Sequence, residues 1–152
     1  MLIASYEPHL FDAVIASSPS AYSNGSFGPG SSLAVSGWSW NGKPLPIGAM
    51  IPVSRIRVPL LIGDGGQDGV WPSSLSVSLV MTELRAAHDA APYTNLYYPK
   101  AGHAFLGAPP YFPYSGYGLD GIPVGGTQAA DAQADEHSWA QMIAFINNPW
   151  RR

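Results

Sequence analysis

The chain has 152 residues, 46% hydrophobic and 11% charged, enough apolar content to bury one core, which argues against a disordered segment. Seven Lys and Arg against ten Asp and Glu give a net charge of −3, and the one basic cluster is Arg151-Arg152, so nucleic-acid binding has no support. With no cysteine, and with histidines at 9, 88, 103 and 137, there is no disulfide framework, no thiolate site and no His-x-x-x-His metal spacing.

No apolar run reaches the roughly 18 residues a membrane span needs. The start, "MLIASYEPHLF", has neither a basic region nor a small-residue cleavage site and does not read as a signal peptide. A soluble, cytoplasmic domain spanning residues 1–152 is expected, without metal or membrane attachment. It opens abruptly in apolar residues, as though its beginning lay elsewhere.

"MLIASY" reads as the last turns of a helix stopped at Glu7-Pro8, because Pro8 disfavours helix at the residue before it. "FDAVIASSP" follows as a strand buried on both faces, centred on residues 11 to 16. Residues 22 to 49 are rich in Gly, Ser and Pro without a period and are expected to be irregular. "VPLLIGDGG" is a second buried strand, entered through Pro59 and left through glycines.

Ser73 or Ser74 is then the expected N-cap of a helix reaching about His88. Val77, Val80, Met81 and Leu84 form its i, i+3, i+4, i+7 stripe, and Pro92 prevents continuation. "TNLYYP" predicts a third strand, and residues 104 to 126 a long Pro/Gly/Tyr loop. Gly125-Gly126 reads as the turn before a last helix. That helix carries Trp139, Met142, Ile143 and Ile146 as its apolar face and stops at Asn147-Asn148-Pro149.

Strands alternating with helices predict an α/β layered fold with a mostly parallel sheet of about three strands. The segment from 59 to 99 is the clearest strand–helix–strand unit, and ligands in such sheets bind beyond the carboxyl ends of the strands. Asp68 and His103, far apart in sequence, therefore emerge on one side. A carboxylate after one strand and a histidine after the next is the acid–base half of a hydrolytic triad: the carboxylate orients the imidazole, which takes the nucleophile's proton. Asp64 is the runner-up acid.

The chain order Ser…Asp…His calls for an upstream nucleophile on a Gly-x-Ser-x-Gly elbow between strand and helix. No such motif occurs. Ser26, Ser36 and Ser115 fail the pattern. Ser17, Ser18 and Ser20 follow a strand, but Pro19 and the lack of a following helix oppose an elbow.

The stretches "IPVSRIRVPLLIGDGGQDGVWPSS", "YYPKAGHAF", "PPYFP" and "GGTQAADAQADEHSWAQMIAFI" resemble, in order, the C-terminal part of the bile acid-CoA:amino acid N-acyltransferase and acyl-CoA thioester hydrolase family, within the α/β-hydrolases. The combination of Asp-x-x-Trp-Pro-Ser, Ala-Gly-His, Pro-Pro-Tyr and Gly-Gly-Thr is specific where each alone is weak. The resemblance implies the C-terminal half of an α/β-hydrolase fold acting on acyl-CoA or another acyl ester. It matches Asp68, three before Trp71, to the triad acid and His103 to the base, while Asp64 does not fit the spacing. The nucleophile, Ser or Cys, falls before Met1, so the chain reads as a family member that begins inside its nucleophile helix, lacks the oxyanion hole and is inactive alone. No cofactor is implied.

Trp71 lines the acyl pocket or packs under a Pro-started helix. Phe105, Tyr111, Phe112, Tyr114 and Tyr117 cover the mouth of the site or pack a surface loop. His9, His88 and His137 read as surface residues, and glycines 65, 66 and 69 lack the spacing of a phosphate loop. A dienelactone-hydrolase-like esterase or a prolyl-oligopeptidase-type peptidase shares the Asp…His layout. A non-catalytic interaction module is the other alternative. The strand at 11 to 16 would expose an unpaired edge, from which self-association is expected.

Overall fold

The structure, a computed structural model, describes residues 1–26, 35–87, 92–103 and 122–148. Helix α1 (Leu2–Tyr6) ends where Pro8 was expected to end it, with the Glu7 amide donating to the Ile3 carbonyl at 2.7 Å. Strand β1 (Val14–Ser17) starts later than the apolar pattern implies, because Phe11 packs against the core from outside the strand.

Residues 22 to 49 are not irregular throughout. Strands β2 (Ser39–Trp40) and β3 (Lys43–Pro44) form a hairpin closed by Asn41-Gly42. Both turn residues hold positive φ, 49° and 74°, as a two-residue hairpin of matching twist requires. Trp40 stacks on Tyr6 with ring centroids 4.7 Å apart, so the hairpin is held against α1.

After a 3-10 turn at Val53–Arg55 comes β4 (Leu60–Gly65), buried at every position. Helix α2 (Ser73–Ala87) returns the chain to β5 (Tyr93–Tyr98). The expected caps Ser73 and Ser74 lie inside the helix; the Pro72 carbonyl accepts the first turn's amide, from Ser76, and the rigid ring suits the helix entry. The expected end at His88 lies outside the described residues.

The sheet is parallel in the order β1-β4-β5, as the α/β reading required. Its register puts Leu60 beside Val14 and Tyr93, and Ile62 beside Ala16 and Asn95. On that face the α2 stripe Val77, Val80, Met81 and Leu84 joins Leu2, Ala4, Ile56, Leu60 and Ile62 in the main core. β1 departs from its expectation: its residues are half-buried or exposed, because among the described residues it has β4 on one side only.

Helix α3 (Gln128–Asn147) is capped by Thr127, whose Oγ1 accepts from the Ala130 amide at 3.2 Å. It packs on β4 and β5, with Ala134 against Ala101 and Tyr98. Its inward face is not the expected one: Ile143 and Ile146 are 41% and 59% exposed, while Asp131, Ala134, Asp135, Ser138 and Phe145 are buried. Ala134 packs against Ala101 and Tyr98 and Asp131 bonds to the Gly102 amide, so specific contacts decide the face more than apolar content does.

That face carries a cost at alkaline pH. Burial, reinforced by the neighbouring Asp131 charge, pushes the Asp135 carboxyl up to about 7. The folded chain thus keeps a proton that an unfolded carboxyl loses from about pH 4 upward, so stability falls as pH rises through that window. Asp135→Asn is expected to raise the thermal midpoint by on the order of 5 °C at pH 8 and to leave it nearly unchanged at pH 4. Circular dichroism melts at the two pH values check this.

Candidate active site

Beyond β4 the chain turns through Gly66 and Gln67, whose amides donate to the carbonyls of Tyr98 at the end of β5 (2.8 Å) and of Ala101 in the loop after it (2.9 Å). A third segment closes on both loops. The Val124 carbonyl accepts from Gly69 at 3.0 Å and from His103 at 2.8 Å. The acid-bearing and histidine-bearing loops are therefore registered to each other by main-chain bonds, before any side chain acts.

Asp68 and His103 meet within this frame. His103 Nδ1–H donates to Asp68 Oδ2 at 2.9 Å, with 2% of the Asp68 side chain exposed and 24% of the His103 side chain. Asp68 Oδ1 accepts from the amides of Val70 (2.9 Å) and Trp71 (3.2 Å). Burial alone would raise the Asp68 carboxyl, but hydrogen bonds from His103, Ser73 and Val70 and the His103 charge outweigh it and hold the carboxyl below its usual range. The carboxylate fixes the tautomer that leaves Nε2 as the proton acceptor.

The Asp-x-x-Trp spacing has a physical reason. A carboxylate bonding to the amides two and three residues ahead makes a tight turn that delivers Trp71 to the histidine. Trp71 meets the imidazole edge-on, with centroids 4.6 Å apart and planes at 87°. Its indole N–H donates to the Ser18 carbonyl at 2.9 Å, while Ser18 Oγ donates to the His103 carbonyl at 2.6 Å. Trp71 and His103 end a cleft of about 580 Å³ whose walls include Phe11, Ile15, Trp38 and Ile51, along the edge of β1 that is unpaired among the described residues.

Asp64 is elsewhere. It is buried, its neighbours are Ser74 and Asn95, and burial outweighs those hydrogen bonds and raises its carboxyl. His9 is exposed, as expected; His137 is exposed too, but pairs through Nδ1 with the Tyr98 hydroxyl at 2.8 Å. Ser18 and Ser20 donate to main-chain carbonyls, those of His103 and Tyr22. His88, Ser115 and the aromatics Phe105, Tyr111, Phe112, Tyr114 and Tyr117 lie outside the described residues. Gly125 and Gly126 do precede the last helix, and both hold positive φ.

Sequence reasoning weighed Ser18 only as a nucleophile and missed its bond to the His103 carbonyl, as it missed the Val124 carbonyl and Asp131, whose Oδ1 accepts from the Gly102 amide at 2.7 Å. The first two act on or through the main chain, which leaves no side-chain pattern to read; the signal for Asp131 was an acid in the first turn of a helix. Among the described residues, no group of three or more His, Cys, Asp or Glu is arranged to hold a metal, and no helix is long and apolar enough to cross a membrane.

A parallel sheet flanked by helices, with a hydrogen-bonded aspartate and histidine on the loops after successive strands, defines the C-terminal half of an α/β-hydrolase. Residues 43–150 match the family described as BAAT / Acyl-CoA thioester hydrolase C terminal, and the chain belongs to that family. It is also 30% identical over 103 residues to the peroxisomal succinyl-coenzyme A thioesterase of Mus musculus. That match covers 64% of this chain and 24% of the mouse protein, so the chain spans about a quarter of the relative's length.

The three-segment frame depends on Gly125. Its φ is +75°, and a Cβ there would overlap the Gln67 carbonyl and lie 2.7 Å from the Gly69 nitrogen. Gly125→Ala is expected to destabilise the chain by about 3 kcal/mol or more, combining left-handed strain with a backbone clash. Urea denaturation checks the loss, and Gly42→Ala, with open space around it, is expected to cost about 1 kcal/mol.

Proposed function

We propose that this chain is the acid–base part of an acyl-CoA thioester hydrolase, folded as a single domain, in which Asp68 orients His103 and His103 Nε2 takes the proton of a nucleophile supplied from outside residues 1–152. The observation that carries the reading is the 2.9 Å Asp68–His103 bond at the end of an apolar cleft. The nucleophile attacks the thioester carbonyl, and the imidazolium returns its proton to the departing CoA thiolate. Water activated by the same nitrogen then cleaves the acyl-enzyme. An amine in place of water makes the reaction an acyl transfer. Trp71 and the cleft walls suit the carbon chain of the acyl group.

The 152-residue chain alone is expected to hydrolyse neither acyl-CoA nor nitrophenyl esters above buffer, because nucleophile and oxyanion stabilisation supply most of the rate. Turnover abolished by His103→Ala would overturn this. In a protein that carries the nucleophile-bearing segment ahead of residue 1, Asp68→Asn is expected to cut turnover on the order of ten-thousandfold. Asp64→Asn should cost far less, and the reverse order would reassign the acid.

The edge of β1 belongs to the same reading. Among the described residues that strand pairs with β4 alone and borders the apolar cleft, an arrangement that templates further pairing. The isolated chain is expected to self-associate in size-exclusion chromatography with light scattering. A monodisperse monomer with cooperative unfolding would mean the edge is protected.

A further inference from the structure

We infer that Asp131 is a positioning residue for His103, acting from α3 through the Gly102 main-chain amide; this rests on His103 being the base of the proposed reaction. Asp131 is 2% exposed, in the first turn of α3, and its Oδ1 accepts from the Gly102 N–H at 2.7 Å. Space for the carboxyl is kept by Gly126, where a Cβ would lie 2.6 Å from that same oxygen. Burial raises the Asp131 carboxyl and the Gly102 bond opposes the rise, so the amide is what compensates a charge kept away from water.

The geometry around His103 shows what the bond achieves. The His103 amide is held by Val124 and its carbonyl by Ser18, each from a different segment. The Val124 bond holds the Gly102–His103 peptide plane and the Ser18 bond the plane after it. The plane before them, Ala101–Gly102, is held at its carbonyl by the Gln67 amide and at its N–H by Asp131. Gly102, between two planes, has no side chain with which to limit its own rotation, so the bonds on either side of it set the path by which the main chain reaches His103. Asp131 supplies one of them, and the last helix is thereby joined to the segment that carries the imidazole.

Nuclear magnetic resonance on the unaltered 152-residue chain tests this first. A through-hydrogen-bond scalar coupling between the Gly102 nitrogen and Asp131 Cγ is expected, and its absence overturns the proposal even if every variant unfolds. Asp131→Ala is expected to speed Gly102 amide exchange about tenfold or more, whereas Asp131→Asn, which keeps an acceptor oxygen, should stay within about threefold of the unaltered chain. The Nδ1–H proton signal of His103, shifted downfield by its bond to Asp68, should move upfield in Asp131→Ala toward its position in Asp68→Asn, and stay in place in Asp131→Asn. A folded Asp131→Ala chain whose signal is unmoved would sink the positioning role, since general destabilisation alone would not move that shift. If Asp68→Asn itself leaves the signal unmoved, the acid–base reading fails; the coupling and Gly102 exchange still decide the Asp131 bond separately.

Discussion

The carbonyl oxygen of Val124 takes two amide protons, one from the loop after β4 and one from the loop after β5. A carbonyl has two lone pairs, and both are used here to tie the segments that carry Asp68 and His103. Parallel strands place their loops at one edge of a sheet, but only to within the freedom of those loops. A 2.9 Å bond between carboxylate and imidazole needs finer placement, and side-chain bonds alone would have to supply it against rotamer and loop entropy. Main-chain registration supplies it beforehand, so the Asp68–His103 bond forms between groups already in reach.

Around that anchor the side chains serve more than one partner each. Asp68 uses one oxygen for His103 and the other for the turn that carries Trp71. Trp71 in turn spans from the imidazole to the end of β1, and Ser18 answers from β1 to the His103 carbonyl. All three strands of the sheet thus contribute to one histidine. The arrangement explains why a site built on loops can be precise: each loop is held by its neighbours as much as by its own strand.

The strand–helix–strand unit from β4 to β5 was legible because its patterns are strong and local: an apolar run buried on both faces, a helical stripe, and proline at each boundary. That Asp68 and His103 emerge on one side followed from the strand-end rule, while the preference for Asp68 over Asp64 came from the family resemblance that carries the Asp-x-x-Trp spacing. The hairpin at Asn41-Gly42 carried its turn signal openly, but a long run of Gly, Ser and Pro masked the two residues on either side that pair. The inward face of α3 was illegible to an apolar count, since Ala134, Ser138 and two aspartates lie inside while Ile143 and Ile146 lie outside. Nothing in a hydrophobic pattern marks a helix whose inward face carries a carboxylate that reaches a neighbouring amide.

The bond from His103 to Val124 also bears on how the chain tolerates change in length. It joins two residues distant in sequence, so their separation in space is set by the bond and not by the length of chain between them. Closing a longer loop costs only about 0.6 kcal/mol for each doubling of its length. A change of length between His103 and Val124 would therefore leave the Asp68–His103 geometry where it is. Residues between Asp68 and Trp71 have no such latitude, because the carboxylate bonds to the amides of the same turn and a single added residue would swing the indole away from the imidazole. Latitude in length and constancy of geometry are thus assigned to different parts of the chain.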